Sequence, residues 1–600
     1  MEKTEIKGNY LQHINFTCSY QHESSSLAAW GNSSNLPVIL RKIADVDIAK
    51  YTQDNWEELR HEWEPYAKRD TLCLGACLIK YNQVTKEVVN QNMSNNLTAP
   101  SLSLKGWYYL YHYDKEMVEE EWYETTRMVA KHTEKENIEK VYSHTNPFIR
   151  NFIRRSIKGG RVSANRKSFE TNKMDEICNV LKEHISQTES NNIIDLFKEY
   201  SASTKDKTEV HSRLKKIECT KLMAFDANGL YASAMSDLDS EYPRAESGRP
   251  FLPEEGKEFV KLFNKQKFRP RTAILTVWFD YPKNMFFQPI PAKDKITFTN
   301  KGGKKETGTK IRDLRNKYKR EGNIMGSNCM KLLGNSLYGK SIQKDIFTTR
   351  HLWNEATLQA NFDSRVKTYE KINDTQYIVE TEIEEKEITT EDSKSTRLTP
   401  SHLGSFVLSH SKIIMNNFIH VINGFYKPEI YYTDTDSLYI SSNNWKKLNR
   451  AGLVSEKDYC KGKNDYGDGG IIFGLYLAPK VKYNIVLTSD GVLKEKKTFK
   501  GYSNDKISVE DYVQLASGHD VSNEFNKPWE KSFTNGVVIP NDKQTKVFRS
   551  YLNNVKRKPP NSEGIMYPYN DKDEYSFHEN YEFDDFDYLT IQEENEDCFK

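Results

Sequence analysis

The chain has 600 residues, 37% hydrophobic and 29% charged, enough for two or more domains with cores of their own and a largely polar surface. Apolar stretches such as Ile471 to Ala478 fall far short of the roughly 20 residues a membrane span needs. Met1 to Tyr10 mixes acids and bases without an apolar run, so neither a signal peptide nor an Arg-rich presequence is expected, and the location read from the sequence is intracellular without a compartment (nucleus or mitochondrion in a eukaryote). The net charge of +2 hides an acidic end: residues 571–600 hold 12 Asp/Glu and 2 Lys, which leaves +12 on the first 570.

Along the chain, Ser24 to Asn35 reads as a loop and Trp56 to Tyr81 as a helix. Cys73 and Cys77 lie four apart on that helix, but no second Cys or His pair follows at zinc-like spacing, so buried packing is expected. The eight cysteines are too scattered for a disulfide framework and read as reduced and structural. Asn90 to Pro100 reads as a loop, and Thr272 to Phe279 as a strand. Between Lys301 and Arg320, 9 Lys/Arg stand against 2 acids, which suits either a polyanion groove or a solvated helix face. Lys310 to Arg320 and Ile324 to Gly339 read as helices separated by Glu321-Gly322-Asn323. Arg365 to Ile372 and Gln376 to Ile383 flank Asn373-Asp374, a β-hairpin turn. Glu429 to Ser441 is rich in β-formers, and Lys556 to Asn570 is loop-like. Strands interleaved with helices in this irregular order, without a repeat, predict an α+β protein.

Three stretches carry chemistry. In Tyr431-Tyr432-Thr433-Asp434-Thr435-Asp436-Ser437, two carboxylates interrupt β-forming flanks. Spacing of two along a strand, or a tight turn, would bring them together, and their repulsion in a partly apolar setting calls for a cation with hard oxygen ligands. An exposed hairpin turn is the plainer reading. In Lys221 to Ser233, an apolar run ends in Asp226 just before an apparent helix, where a helix N-cap is the plainer reading. In Lys331-Leu332-Leu333-Gly334-Asn335-Ser336-Leu337-Tyr338-Gly339, helical spacing aligns Lys331, Asn335 and Tyr338 in one stripe. A cation, an amide and a phenol in line suit the phosphate, sugar and base of a nucleotide, and Lys is rarely buried unpaired.

Together these stretches resemble motifs A, B and C of the family B DNA polymerases, in order and spacing. The long intervals between them resemble the protein-primed branch of phages, linear plasmids and Polinton-like elements. The resemblance spans residues 50–540 and implies a right-hand polymerase of palm, fingers and thumb. Expected boundaries are a truncated exonuclease-like (ribonuclease H-like) region and linker at 1–155, a polymerase domain at 156–560 and an acidic tail at 561–600. Within the polymerase domain the palm would take 215–250 and 400–500, a first insertion 248–303, the fingers 305–345, a second insertion 361–396 and the thumb 500–555.

The resemblance further implies DNA-directed DNA synthesis in replication, with two Mg²⁺ ions (Mn²⁺ as substitute) held by Asp226, Asp434, Asp436 and the Ala227 carbonyl. Tyr231 would exclude a ribose 2′-hydroxyl. Lys331, Arg315 and Lys319 would hold the triphosphate, and Asn335 and Tyr338 the nascent base pair. Leu477 to Tyr483 resembles the Lys-x-Tyr primer motif with one extra residue, which gives Lys480, Lys482 and Tyr483 to DNA, together with Lys500. Ile157-Lys158-Gly159-Gly160 is similar to a Tyr-x-Gly-Gly template motif with Ile for Tyr, so Gly159 and Gly160 join the DNA contacts. Tyr66 and Asp70 look like the last motif of the 3′–5′ exonuclease. The expected upstream Asp-x-Glu is missing, since Asp45-Val46-Asp47 lies too near Tyr66 and has no Glu, so exonuclease activity is expected to be absent. Partners would be primer-template DNA, dNTPs and a terminal protein offering a priming hydroxyl, with no membrane. The competing readings are an RNA-synthesising palm enzyme and a catalytically dead remnant that still binds DNA or terminal protein.

Overall fold

A computed structural model describes residues 18–111, 146–237, 399–499 and 507–526 in long stretches, with shorter pieces within 129–144, 240–298, 324–382 and 530–568. The chain divides into two units. One comprises Met1–Ile157, Ala234–Leu275 and Thr297–Val407, the other Lys158–Ser233, Thr276–Ile296 and Leu408–Lys600.

In the first unit, the long helix Arg60–Val89 ends at Asn90, which takes the left-handed conformation (φ 52°) favoured where a helix stops. Helix Ala99–Tyr111 packs on it so closely that a Cβ on Gly106 would lie 2.5 Å from the Val89 Cβ. The Ser24 to Asn35 stretch is not a loop throughout. Ser26 caps a helix, Leu27–Ser33, by accepting the Ala29 N–H, and Trp30 anchors it in the core. Burial of one large apolar residue overrode a Ser- and Asn-rich composition. That core joins Trp30, Cys73, Cys77, Tyr81, Val88 and Leu102 to Cys329 and Leu333 of helix Ile324–Ser341, which carries the motif B stretch. Cys73 and Cys77 are thus packing residues, as expected. Ser103 Oγ also donates to the Leu333 carbonyl at 2.6 Å. Among the described residues 18–111 there are helices and no strand, whereas a ribonuclease H-like domain is organised on a sheet. The described part of this region is a helical layer on the motif B helix, which departs from the exonuclease-like expectation. Farther along, Thr348–Trp353, Val366–Asn373 and Gln376–Glu382 form a three-stranded antiparallel sheet, and Asn373 faces Gln376 across the expected hairpin turn.

The second unit is built on nine strands: β1 (Val162–Ala164), β2 (Ser168–Glu170), β3 (Leu222–Ala227), β4 (Ile430–Asp434), β5 (Ser437–Ser441), β6 (Gly462–Asn464), β7 (Gly470–Ala478), β8 (Val481–Leu487) and β9 (Leu493–Phe499). Their order is β9-β8-β7-β3-β5-β4-β1, with β6 also on β3 and β2 on β7. Alternation gives the sheet two apolar faces. On β8, Val481, Tyr483, Ile485 and Leu487 join the helices Met174–Ile185, Ile193–Ala202, Thr208–Lys215 and Val509–Ala516 in one cluster. On the other face Leu222, Ala224, Tyr432, Tyr439 and Tyr476 form a second cluster rich in tyrosine.

Candidate active site

The three motif acids meet at the ends of β3, β4 and β5. Asp226 continues the line Leu222, Ala224 on β3, and Asp434 continues from Tyr432 on β4, so period-two alternation puts both at the rim of the tyrosine-lined face. Register fixes their neighbourhood: Ser437 pairs with Asp434 on one side and with Asp226 on the other. The Ala227 N–H donates to the Asp436 carbonyl at 2.8 Å, which ties the motif A strand to the motif C turn. Of the two sequence alternatives for Asp-Thr-Asp, the tight turn holds. The Asp436 N–H reaches back to the Asp434 carbonyl at 2.6 Å around Thr435, whose φ of 57° is left-handed. A three-residue turn with a β-branched residue at positive φ is strained, a feature that gathers at functional sites.

Electrostatics mark the same place. Burial, then Asp436 and Asp465, pushes the Asp226 carboxyl up to about 7, against the pull of Lys463 and Lys482. Burial, with Asp434 and Asp465 adding to it, pushes Asp436 up to about 6. Two acids that resist ionisation together form a site that favours an added cation. Among the described residues no three His, Cys, Asp or Glu side chains are gathered closely enough to hold an ion as they stand. Lysines instead offset the charge. Lys480 Nζ lies 3.4 Å from Asp434 Oδ1, and the Tyr432 hydroxyl donates to Asp434 Oδ2 at 3.4 Å. In kind, a half-buried set of hard carboxylate oxygens fits Mg²⁺ or Mn²⁺.

Lys482 extends from β8 under this rim. Its Nζ donates to the Tyr439 hydroxyl at 2.7 Å and lies 4.6 and 4.8 Å from the Tyr439 and Tyr432 ring centres. Burial lowers its pKa, against the opposing pull of Asp434 and Asp465. The hydroxyls of Tyr439 and Tyr466 bond each other at 2.9 Å, and Tyr476 donates to Asn484 Oδ1 at 2.9 Å. Both lysines of the Lys-x-Tyr stretch therefore serve the acids, Lys480 from the rim and Lys482 from beneath. Tyr483 does not join them. One residue along β8 it faces the opposite way, 1% exposed against Tyr512, so its assignment to DNA is corrected to the core.

Sequence reasoning missed the segment after motif C. There β6 pairs with β3 so that Lys463 faces Asp226, and the Asp465 N–H donates to the Ala224 carbonyl at 2.9 Å. A Cβ on Gly462 would lie 2.4 Å from the Phe225 ring, so glycine permits that crossing. The run Gly462, Gly467, Gly469, Gly470 was the available signal. Asn228, just past motif A, donates to the carbonyls of Ser455 (2.6 Å) and Asp458 (3.0 Å).

The remaining expected residues stand as follows. Tyr231 lies half-buried on helix Leu230–Ser236, five residues after Asp226. Gly159 and Gly160 lead into β1. Helix Ile324–Ser341 carries Lys331, Asn335 and a buried Tyr338 in the first unit, and of these only the Tyr338 side chain is described. Arg315, Lys319 and Lys500 lie outside the described residues. In the first unit, Tyr66 donates to Asp45 Oδ1 at 3.1 Å, and Lys42 Nζ bonds the Tyr66 hydroxyl at 2.8 Å and stands 3.6 Å from Asp70 Oδ2. No helix among the described residues is long and apolar enough to cross a membrane.

No protein-family model matches the sequence. Phi29 DNA polymerase, solved with primer-template DNA and incoming nucleotide, superposes over 88% of this chain and 79% of its own, with a TM-score of 0.50 and 12% identity. The chain has the fold of phi29 DNA polymerase. The resemblance to protein-primed family B polymerases is borne out at this level. In sequence, a DNA polymerase of Kluyveromyces lactis is 29% identical over 228 residues, 34% of this chain. The match spans only 20% of the yeast protein's length.

Proposed function

We propose that the protein is a DNA-directed DNA polymerase that adds dNMPs to a primer 3′-hydroxyl during replication. The observation that carries this reading is the convergence of Asp226 with Asp434 and Asp436, 208 residues apart in sequence, through register on β3, β4 and β5, in a phi29-polymerase fold. Asp226, Asp434, Asp436 and the Ala227 carbonyl would hold two Mg²⁺ ions. Bound there, the ions lower the pKa of the attacking hydroxyl and neutralise the triphosphate and leaving pyrophosphate. The chain's own residues supply positioning and charge, since phosphoryl transfer needs no nucleophilic side chain. Lys480 releases Asp434 when a divalent cation replaces it, and is then free for the primer-template backbone. Lys482 stays beneath the acids as a fixed positive charge. Tyr231 closes the sugar pocket against a 2′-hydroxyl. Lys331, Arg315 and Lys319 hold the phosphates, Asn335 and Tyr338 line the base-pair pocket, and Gly159, Gly160 and Lys500 follow the DNA backbone. Starting from a terminal-protein hydroxyl uses the same acids with a different nucleophile.

Extension of a labelled primer on a DNA template, with Mg²⁺ and either dNTPs or NTPs, tests the proposal. Template-dependent growth with dNTPs that stops in EDTA supports it. Growth with NTPs alone makes it an RNA-synthesising enzyme, and no growth with a retained DNA complex makes it a binding remnant.

A further inference from the structure

We infer that Gly160 is a positioning residue for the catalytic turn, and that the segment Lys158 to Ala164 is the strap holding that turn in its strained form. This deepens the polymerase reading and rests on it. The Thr435 N–H donates to the Arg161 carbonyl at 2.8 Å, and β1 continues the contact by pairing Val162 with Asp434. The strap is itself anchored. The Arg161 guanidinium donates to Asn416 Oδ1 and, at 3.3 Å, to the Gln288 carbonyl, while Lys412 Nζ donates to the Lys158 carbonyl at 2.8 Å. At the centre is Gly160. A Cβ there would lie 2.5 Å from Thr435 Cγ2 and 2.8 Å from both its Cα and its Cβ.

The consequence is steric. Thr435 is held at φ 57°, with Asp434 and Asp436 as its neighbours on either side. Any side chain at 160 must push the strap away or push the turn, and backbone atoms of Thr435 cannot rotate aside. If the turn moves, both acids move with it. A small, cavity-like space of about 300 Å³ lined by Gly160, Arg161, Leu230, Met415, Thr433 and Thr435 lies beside the contact, so the turn has room to shift. The template-contact role expected from sequence would instead require Gly160 to act through DNA affinity.

Gly160→Ala, Thr435→Gly and the double variant, all in the full chain, separate these roles. A displacement near 1 Å costs on the order of 100-fold in rate. Gly160→Ala is expected to lose about that much kcat at saturating primer-template and dNTP. Its primer-template Kd should stay near wild type and its half-maximal Mg²⁺ concentration should rise. The double variant should recover at least about tenfold over Gly160→Ala, because Thr435→Gly removes two of the three clashing atoms and accepts positive φ freely. The stabilisation of each variant against heat by Mn²⁺ is read in parallel and needs no turnover. It should be lost in Gly160→Ala and regained in the double variant. Should Gly160→Ala fold poorly, the same recovery in melting temperature decides, since only a clash at this contact is relieved by trimming Thr435. Unchanged kcat, a loss confined to DNA affinity, or a double variant no better than Gly160→Ala overturns the inference. A wild-type chain that extends no primer but keeps the Mn²⁺ pattern overturns the polymerase reading and leaves the strap intact.

Discussion

Two clusters of acids, one in each unit, look alike in sequence and differ in physics. At the rim of the sheet, Asp226, Asp434 and Asp436 are brought together from separate strands, half-buried, and two of them are pushed toward the neutral form by burial and by one another. On the helical layer, Asp45 and Asp70 surround Lys42, which bonds Tyr66 and Asp45 and is raised in pKa chiefly by the Asp45 bond. The first cluster carries repulsion that an added cation relieves. The second already holds its cation as a covalent part of the chain, so a divalent ion would have to displace an ammonium. Carboxylate count is thus a poor guide to metal chemistry. What separates the clusters is whether the fold leaves the charge uncompensated.

The sharpest way to break this comparison is one substitution in each cluster. Asp436→Asn keeps the shape and removes a charge that metal binding needs. It should lower primer extension by about 100-fold or more, the scale of losing one strong transition-state contact, roughly 3 kcal/mol. Asp45→Asn should leave extension within about twofold, as its pairing is exposed and screened. Extension above about a tenth of wild type in Asp436→Asn removes it from the ligand set.

Next in size is sugar selection. Tyr231→Ala opens the pocket that would reject a 2′-hydroxyl, and steric or apolar discrimination of this kind is worth about 10- to 200-fold. The dNTP/NTP preference in kcat/KM should fall by that order, with dNTP use itself retained. Unchanged preference takes Tyr231 out of the sugar pocket.

A third expectation concerns pH. Asp226 and Asp436 have folded pKa values of about 7 and about 6, raised from an ordinary 3.8. The folded state therefore binds more protons than the unfolded state between those values. Stability is fully present below about pH 4 and is lost as pH rises through 6 to 7. Without divalent ions, the melting temperature should fall by on the order of a few degrees between pH 5 and 8. Mg²⁺ or Mn²⁺ should restore it most at the alkaline end, where ligands are ionised. Asp226→Asn should flatten the pH dependence. A metal-free melting temperature that rises over this range contradicts the crowding of the acids.

Much of the sheet was legible in the sequence. Tyr432, Tyr439 and their β-forming neighbours announce β4 and β5, and the Asn373-Asp374 turn sets the register of a hairpin, because alternation and turn chemistry are local. The acids of motifs A and C were legible for the same reason, since a carboxylate among β-formers contradicts its surroundings. Tyr483 was misread because its direction depends on strand parity relative to Lys482. Lys463 and Asp465 were missed because only the long-range pairing of β6 with β3 brings them to Asp226. The helical layer was misread because a Tyr-x-x-x-Asp spacing fits any helix face.

The smallest expected effect is also the test of that last misreading. Asp70 lies on helix Arg60–Val89, its Oδ2 3.6 Å from Lys42 and its Oδ1 buried without a hydrogen-bond partner. An exonuclease working by two metals needs several carboxylates converging on one phosphodiester. Here Asp45 is 79% exposed and bonded to Lys42, and Asp70 has the same ammonium as its nearest cation. The chain is therefore expected to leave end-labelled single-stranded DNA intact with Mg²⁺ or Mn²⁺ under conditions where it extends primers. Asp70→Ala should change neither result. Its stability should shift by less than about 1 kcal/mol, because the ion pair is weak and the unpartnered oxygen disappears with it. Stepwise shortening that vanishes in Asp70→Ala would mean that carboxylates outside the described residues complete a metal site around Lys42, and the two clusters would then share one chemistry.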